Sequence, residues 1–181
     1  SIDIRTREME RMISTPAEQA KMNTAGNLIV YQDRKGYENA WRKHHNSSVT
    51  RDIRLYDKNN GTHRKLSTFA GEDRDPVFAP DQKHIYYLSE QFGDMNVCRM
   101  SIDDPSNIEQ ITFYENHPVR FLSVSNDGTL CYCWNGEIYT KIDNEQPEKV
   151  VISIALEEKE NPVEFEEFTK YVMEKGITPV V

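Results

Sequence analysis

From Asp75 to Phe113 the chain alternates short apolar runs with clusters of Asp, Asn, Pro and Gly. Four runs read as strands: Pro76–Ala79, His84–Ser89, Asn96–Ile102 and Glu109–Phe113. They are rich in Val, Ile, Tyr, Phe and Thr, which suit a pleated, half-buried surface. The period is two: Ile85, Tyr87 and Ser89 fall on one face, Tyr86 and Leu88 on the other. Asp81-Gln82, Asn126-Asp127-Gly128 and Asn59-Asn60-Gly61 supply turns between hairpin partners, because Asn and Gly tolerate left-handed backbone.

The pattern repeats. Pro80-Asp81-Gln82 matches Asn126-Asp127-Gly128 at a spacing of 46, and Val97 matches Ile138 at 41. An earlier unit fits the same frame: Leu66-Ser67-Thr68 matches Ile111-Thr112-Phe113 at 45, and Ile53 matches Val97 at 44. Ile2 to Ser14 reads as the last two runs of a still earlier unit, with Met12-Ile13-Ser14 in the place of Leu66-Ser67-Thr68. Four antiparallel strands recurring every ~40–45 residues are the signature of a β-propeller blade. The expectation is an all-β partial β-propeller over residues 1–156, with about three four-stranded blades plus a half blade. A lone blade cannot bury both faces, and a ring closes at about 4–8 blades. The chain is therefore read as part of a ring whose end faces need a partner or a covering segment.

Two segments leave this frame. Arg34–Thr50 sits between the second and third runs of its unit and carries Arg34, Lys35, Arg42, Lys43, His44 and His45 against one acid, Glu38. The tail, 157–181, predicts a short C-terminal helix: Phe165, Phe168 and Val172 share a helical face and Gly176 stands as a C-cap. Residues 143–175 hold ten acids and four bases, which reads as a solvated helix face and accounts for most of the net charge of −8. That acidity argues against a nucleic-acid binder that works by neutralising phosphates. The longest apolar stretch, Val150 to Leu156, is broken by Ser153 and too short to span a membrane. The chain starts at Ser1 with no charged-then-apolar leader behind it, and is read as a processed product or a piece of something longer.

The chemistry is sparse. Gly-x-Ser-x-Gly, a Gly-rich phosphate loop and His-Glu-x-x-His are all missing, so no catalytic residue is assigned. His44-His45 has no nearby Cys or carboxylate to complete a metal site, and a loop-packing or partner-contacting role is expected. Cys131 and Cys133 flank Tyr132 on one strand face and, with Cys98, read as small buried hydrophobes. No metal or cofactor is expected. Trp41 lies in the insertion, where an aromatic ring can grip a peptide or pin the loop down. Arg42, Lys43, Arg51 and Arg54 offer either donors for a peptide carboxylate or internal pairing with Glu38, Asp52, Glu72 and Asp73. The candidate peptide-binding set is Trp41, Arg42, His44, His45 and Arg51.

Asp75-Pro76-Val77-Phe78-Ala79-Pro80-Asp81, followed by His84–Ser89 and Asn96-Val97, resembles the Asp-Pro-x-Phe-Ser-Pro-Asp-Gly repeat of TolB-like and tricorn-like propellers, with Gln82 where that repeat has Gly. The insertion Lys35–Asp52, with Gly71–Phe78 and His117–Gly128, resembles the propeller region of bacterial tricorn-like serine proteases; the resemblance covers about Ile2 to Ile154. It implies a parent with a PDZ-like module and a peptidase core, and a propeller that binds or guides peptides towards a distant active site. It also implies a bacterial periplasm or cell envelope, with peptides, proteins and the remaining blades as partners. None of the family's catalytic machinery maps here, so enzyme status belongs to the parent. The alternatives are a TolB-like interaction scaffold with no enzyme attached and, more weakly, a carbohydrate-binding propeller.

Overall fold

The computed structural model describes residues 2–155 except 38, 40 and 143. Backbone contacts divide the chain into a unit of residues 1–150 and a second of 151–181. Of the second, 151–155 are described and contain no strand or helix; the helix expected over 157–181 lies outside the described residues.

The first unit is all-β. Among the described residues, twelve strands make three four-stranded antiparallel sheets. Sheet one is β1 (Ala17–Met22), β2 (Leu28–Asp33), β3 (Ile53–Asp57) and β4 (Thr62–Lys65). Sheet two is β5 (Asp73–Phe78), β6 (His84–Ser89), β7 (Asn96–Ser101) and β8 (Ile108–Gln110). Sheet three is β9 (Arg120–Val124), β10 (Leu130–Trp134), β11 (Glu137–Lys141) and β12 (Glu148–Lys149). Each is a simple meander, and the first strands touch in succession, β1 against β5 and β5 against β9. Stacked meanders joined along their first strands are consistent with blades around an axis.

Alternation in β6 decides how sheet two is buried. Ile85 and Tyr87 enter one core with Val30, Ile53, Leu55 and Leu66 of the first repeat. Leu88 enters a second core with Val119, Leu122, Leu130 and Tyr132. Fully burying a side chain of this size contributes about 1.5–3 kcal/mol, and sheet two does so on both faces. Cys98 lies in the first core, where burial pushes its thiol up to about 12. Cys131 and Cys133 are only half-buried, against the expectation. They point away from sheet two, and none of the described residues lays a sheet over that face.

The repeat recurs atom for atom in the backbone. The Leu66, Ile111 and Val150 amides donate to the carbonyls of Ile53, Val97 and Ile138 at 2.8, 2.8 and 2.9 Å. Ser67 and Thr112 each accept, through the side-chain hydroxyl, from the amide of Ile53 or Val97 at 2.9 Å. The first hairpin turns hold Gly26, Gln82 and Gly128 at φ 73°, 59° and 94°. Four residues before each turn opens, Gln19, Asp75 and Phe121 sit left-handed at φ 51°, 49° and 57° and break the register of β1, β5 and β9. These bulges let β5 start at Asp73, three residues before the expected Pro76. At the other edge, β8 ends at Gln110 because the Ile111 and Thr112 amides both turn to the Val97 carbonyl. Of the expected half blade, Ile2 and Met9 form one antiparallel bridge around a turn held by the Asp3 carboxylate.

Candidate functional site

The insertion leaves sheet one after β2 and is closed at its base. Lys35 Nζ donates to the Thr50 carbonyl and to Asp52 Oδ2, both at 2.6 Å. Gly36 packs closely on Val49, since a Cβ there would lie 3.0 Å from Val49 Cγ1 and the valine would have to shift by a few tenths of an ångström. From this base the loop crosses sheet two. The His44 amide donates to Glu90 Oε1 at 3.1 Å, and its Nε2 lies 3.2 Å from Asp94 Oδ1. Lys43 Nζ is 3.6 Å from the same carboxylate and donates to the Asn116 carbonyl. Glu90 and Asp94 flank the β6–β7 turn, so the loop is strapped to the neighbouring blade.

Beyond the strap, Trp41 reaches sheet three. The Arg120 guanidinium carbon lies 4.3 Å from the centroid of the Trp41 ring, a cation–π contact. Burial and the nearby Arg74 pull the Arg120 pKa down, and Asp75 and Glu90 oppose them. Next to it, Trp134 stacks on Tyr114 with centroids 4.5 Å apart and donates Nε1–H to the His117 carbonyl at 3.0 Å. The Asn135-Gly136 turn behind Trp134 is left-handed at both residues, φ 48° and 79°, as a tight two-residue hairpin requires. Trp41, His117, Arg120, Phe121, Trp134 and Gly136 line an open cleft of about 470 Å³.

The structure gathers Trp41, Arg42, His44 and His45 on the insertion and separates them from Arg51. Arg51 is held inside: Nε donates to Glu18 Oε2 at 3.0 Å and NH1 to Glu72 Oε1 at 2.9 Å. Burial opposes its charge, but these two carboxylates carry its pKa above the ordinary arginine value. Arg74 shares Glu72 at 2.6 Å, so the Gly71–Asp75 segment staples sheet two to sheet one. His44 and His45 lie in a loop, not a strand, and no group of three or more metal-capable side chains occurs among the described residues. Arg120 and His117 escape a sequence reading. The signal available was the repeat frame, which puts Arg120 46 positions after Arg74, at the mouth of the corresponding first strand.

Among the described residues no helix is long and apolar enough to cross a membrane. Comparison with protein-family models returns no match. The Tol-Pal system protein TolB of Wolinella succinogenes is 32% identical over 63 residues, which is 35% of this chain and 15% of that protein. Among solved structures, tricorn protease superposes with a TM-score of 0.63 at 18% identity, over 78% of this chain and 13% of its own. TolB from Acinetobacter baumannii gives 0.64 at 13% identity, over 82% of this chain and 36% of its own. XC5397 of Xanthomonas campestris, described as a gluconolactonase, gives 0.55 at 11% identity. A shared fold does not choose among such different activities. The chain spans well under half the length of tricorn protease and of the Wolinella and Acinetobacter TolB proteins. It is a β-propeller segment similar in fold to the propellers of TolB and tricorn protease, and similar in sequence to TolB over about a third of its length.

Proposed function

We propose that this chain is a non-catalytic propeller segment that binds or guides peptides, within a longer protein of the tricorn-like peptidase type. The supporting observation is the insertion: blade geometry does not require it, yet it is strapped to sheet two and presents Trp41, 70% exposed, over Arg120 of sheet three. A loop that only filled space would tuck its tryptophan away. The candidate residues Trp41, Arg42, His44 and His45 belong to this insertion, while Arg51 pairs with Glu18 and Glu72 between sheets one and two.

The second reading is a TolB-like scaffold of the bacterial cell envelope with no enzyme attached; the local sequence similarity to TolB favours it. Both readings place the protein in the periplasm or envelope. Panning the purified chain against a random peptide display library tests the shared claim. Enriched peptides that lose binding to a Trp41→Ala, Arg42→Ala variant support it, and no enrichment over a blank surface refutes it. Neither reading allows hydrolysis, so turnover of a casein-type substrate by stringently purified protein would refute both.

A further inference from the structure

Two Asn-Gly pairs occur in the chain, Asn60-Gly61 and Asn135-Gly136, and both lie exposed at hairpin turns. Asparagine is among the thermolabile residues, and a following glycine, with no Cβ, leaves its own backbone nitrogen unhindered for attack on the asparagine side chain. That attack needs the chain to leave its turn, so the surroundings of each pair set its rate. Neither glycine would bring a Cβ within 4 Å of a heavy atom, so access alone does not separate the pairs. Anchoring does. Asn135 and Gly136 are the whole loop of a tight hairpin between the paired Trp134 and Glu137, and both are left-handed. The flanks are fixed: Trp134 donates to the His117 carbonyl at 3.0 Å, and Glu137 lies 2.8 Å from Lys149. Moving Gly136 therefore opens the β10–β11 pairing. Asn60 and Gly61 instead end the longer loop between the paired Asp57 and Thr62, against β4, a strand exposed along its whole length. Asp57 holds this loop. Its Oδ1 accepts from the Asn59 amide at 2.9 Å and its Oδ2 from Asn60 Nδ2 at 2.6 Å.

We propose that Asn60-Gly61 is a site of spontaneous covalent modification, where Asn60 loses its amide and becomes an aspartyl or isoaspartyl link, with the Asp57 carboxylate as the brake. The Gly61 nitrogen gives its proton to a base in solvent and bonds to Asn60 Cγ. The Cγ–Nδ2 bond breaks, and Nδ2 takes a proton from water and leaves as ammonia. Water then opens the cyclic imide at either carbonyl, and nothing is oxidised or reduced. Asp57 opposes two of these events. It holds Nδ2 in a charge-assisted hydrogen bond, and its negative charge in the same loop disfavours the anionic nitrogen. The isoaspartyl product places an extra backbone carbon just before β4, the strand from which Arg64 donates to the Ile102 carbonyl of the second repeat at 2.7 Å.

The test incubates the folded chain in mildly alkaline buffer at body temperature and follows both pairs by digestion and mass spectrometry. Loss of the amide adds about one mass unit, and aspartyl and isoaspartyl peptides separate by retention. Asn60 is expected to convert at least about tenfold faster than Asn135, whose turn must open a strand pair first. In concentrated denaturant both turns are lost and the two rates are expected to converge, which assigns the difference to the fold. Asp57→Asn keeps an acceptor and removes the charge; it is expected to speed conversion at Asn60 severalfold and to leave Asn135 unchanged. The Asn135 rate in the same molecules is the check on folding, because an unfolded variant would accelerate at both pairs. Equal rates in the folded chain, faster conversion at Asn135, a difference that persists in denaturant, or an Asn60 rate that Asp57→Asn leaves unchanged would each overturn the proposal.

Discussion

Asp73 offers a quantitative test of how the first two sheets pack. It is 0% exposed, and neither carboxylate oxygen has a hydrogen-bond partner of ordinary geometry, although the Ser89 and Ser67 hydroxyls lie near it. The Tyr87 hydroxyl is likewise buried without a hydrogen-bond partner. Burial drives the Asp73 pKa from 3.8 to about 7; the Ser89 and Ser67 hydroxyls offset part of this, and the charges of Asp52 and Glu72 add to it. Between pH 4 and 7 the folded state therefore keeps a proton that the unfolded chain has lost. Fewer protons bound in the unfolded state means that stability is full below about pH 4 and falls as pH rises towards 7. About three pH units at ~1.4 kcal/mol each give a loss of about 4 kcal/mol. Asp75, whose pKa burial also raises against Arg74, Arg51 and Lys21, contributes with the same sign. Asp73→Asn removes the titration. It should be the more stable form at pH 8 by about 1–3 kcal/mol, because the unpaired amide keeps a desolvation cost of about 1–3 kcal/mol. For a chain of this size that is a rise of roughly 2–12 °C in melting temperature. Urea unfolding of both proteins at half-unit steps from pH 4 to 8 measures it, and the difference between them isolates Asp73. Parallel profiles for the two proteins would refute the buried, unpaired carboxylate.

Leu88→Ala should cost about 2–5 kcal/mol in chemical denaturation, since it empties one side of the core between sheets two and three. Gly128→Ala should cost about 1–2 kcal/mol because φ is 94° there, while alanine at Gly71, whose φ is not left-handed, would instead press on the Phe69 ring. Arg51→Ala takes a charged hydrogen-bond donor from Glu18 and from Glu72, which keep Arg34 at 3.4 Å and Arg74 at 2.6 Å, and should cost about 1.5–3 kcal/mol; lost peptide capture with unchanged stability would make Arg51 a binding residue instead. Arg42→Ala with His44→Ala should weaken peptide capture without changing the cooperative unfolding of the sheets, and a collapse of the melting transition would show that the strap is structural.

How far the structure can be read from sequence depends on what leaves a residue-type signature. β6 is legible because burial on both faces still imposes a period of two on Ile85, Tyr86, Tyr87 and Leu88. The turns are legible at Gly26 and Gly128 and obscured at Gln82, which adopts the same left-handed backbone and adds a side-chain bond from the Thr24 amide at 2.9 Å. The three first-strand bulges are invisible because Gln19, Asp75 and Phe121 share a backbone angle and no chemistry. The insertion announces itself as a departure from the repeat, but its landing place does not. Trp41 meets Arg120, and Arg51 meets Glu18, through chain returns that no local pattern encodes.

The central claim is that successive four-stranded sheets stack face to face, with sheet two between its neighbours. Methyl-labelled NMR tests it most directly. Ile85 should show nuclear Overhauser contacts to methyls of Val30, Ile53, Leu55 or Leu66, and Leu88 to methyls of Val119, Leu122 or Leu130. Ile85 and Leu88 sharing one set of partners, as a helix or a one-sided sheet would require, would contradict it.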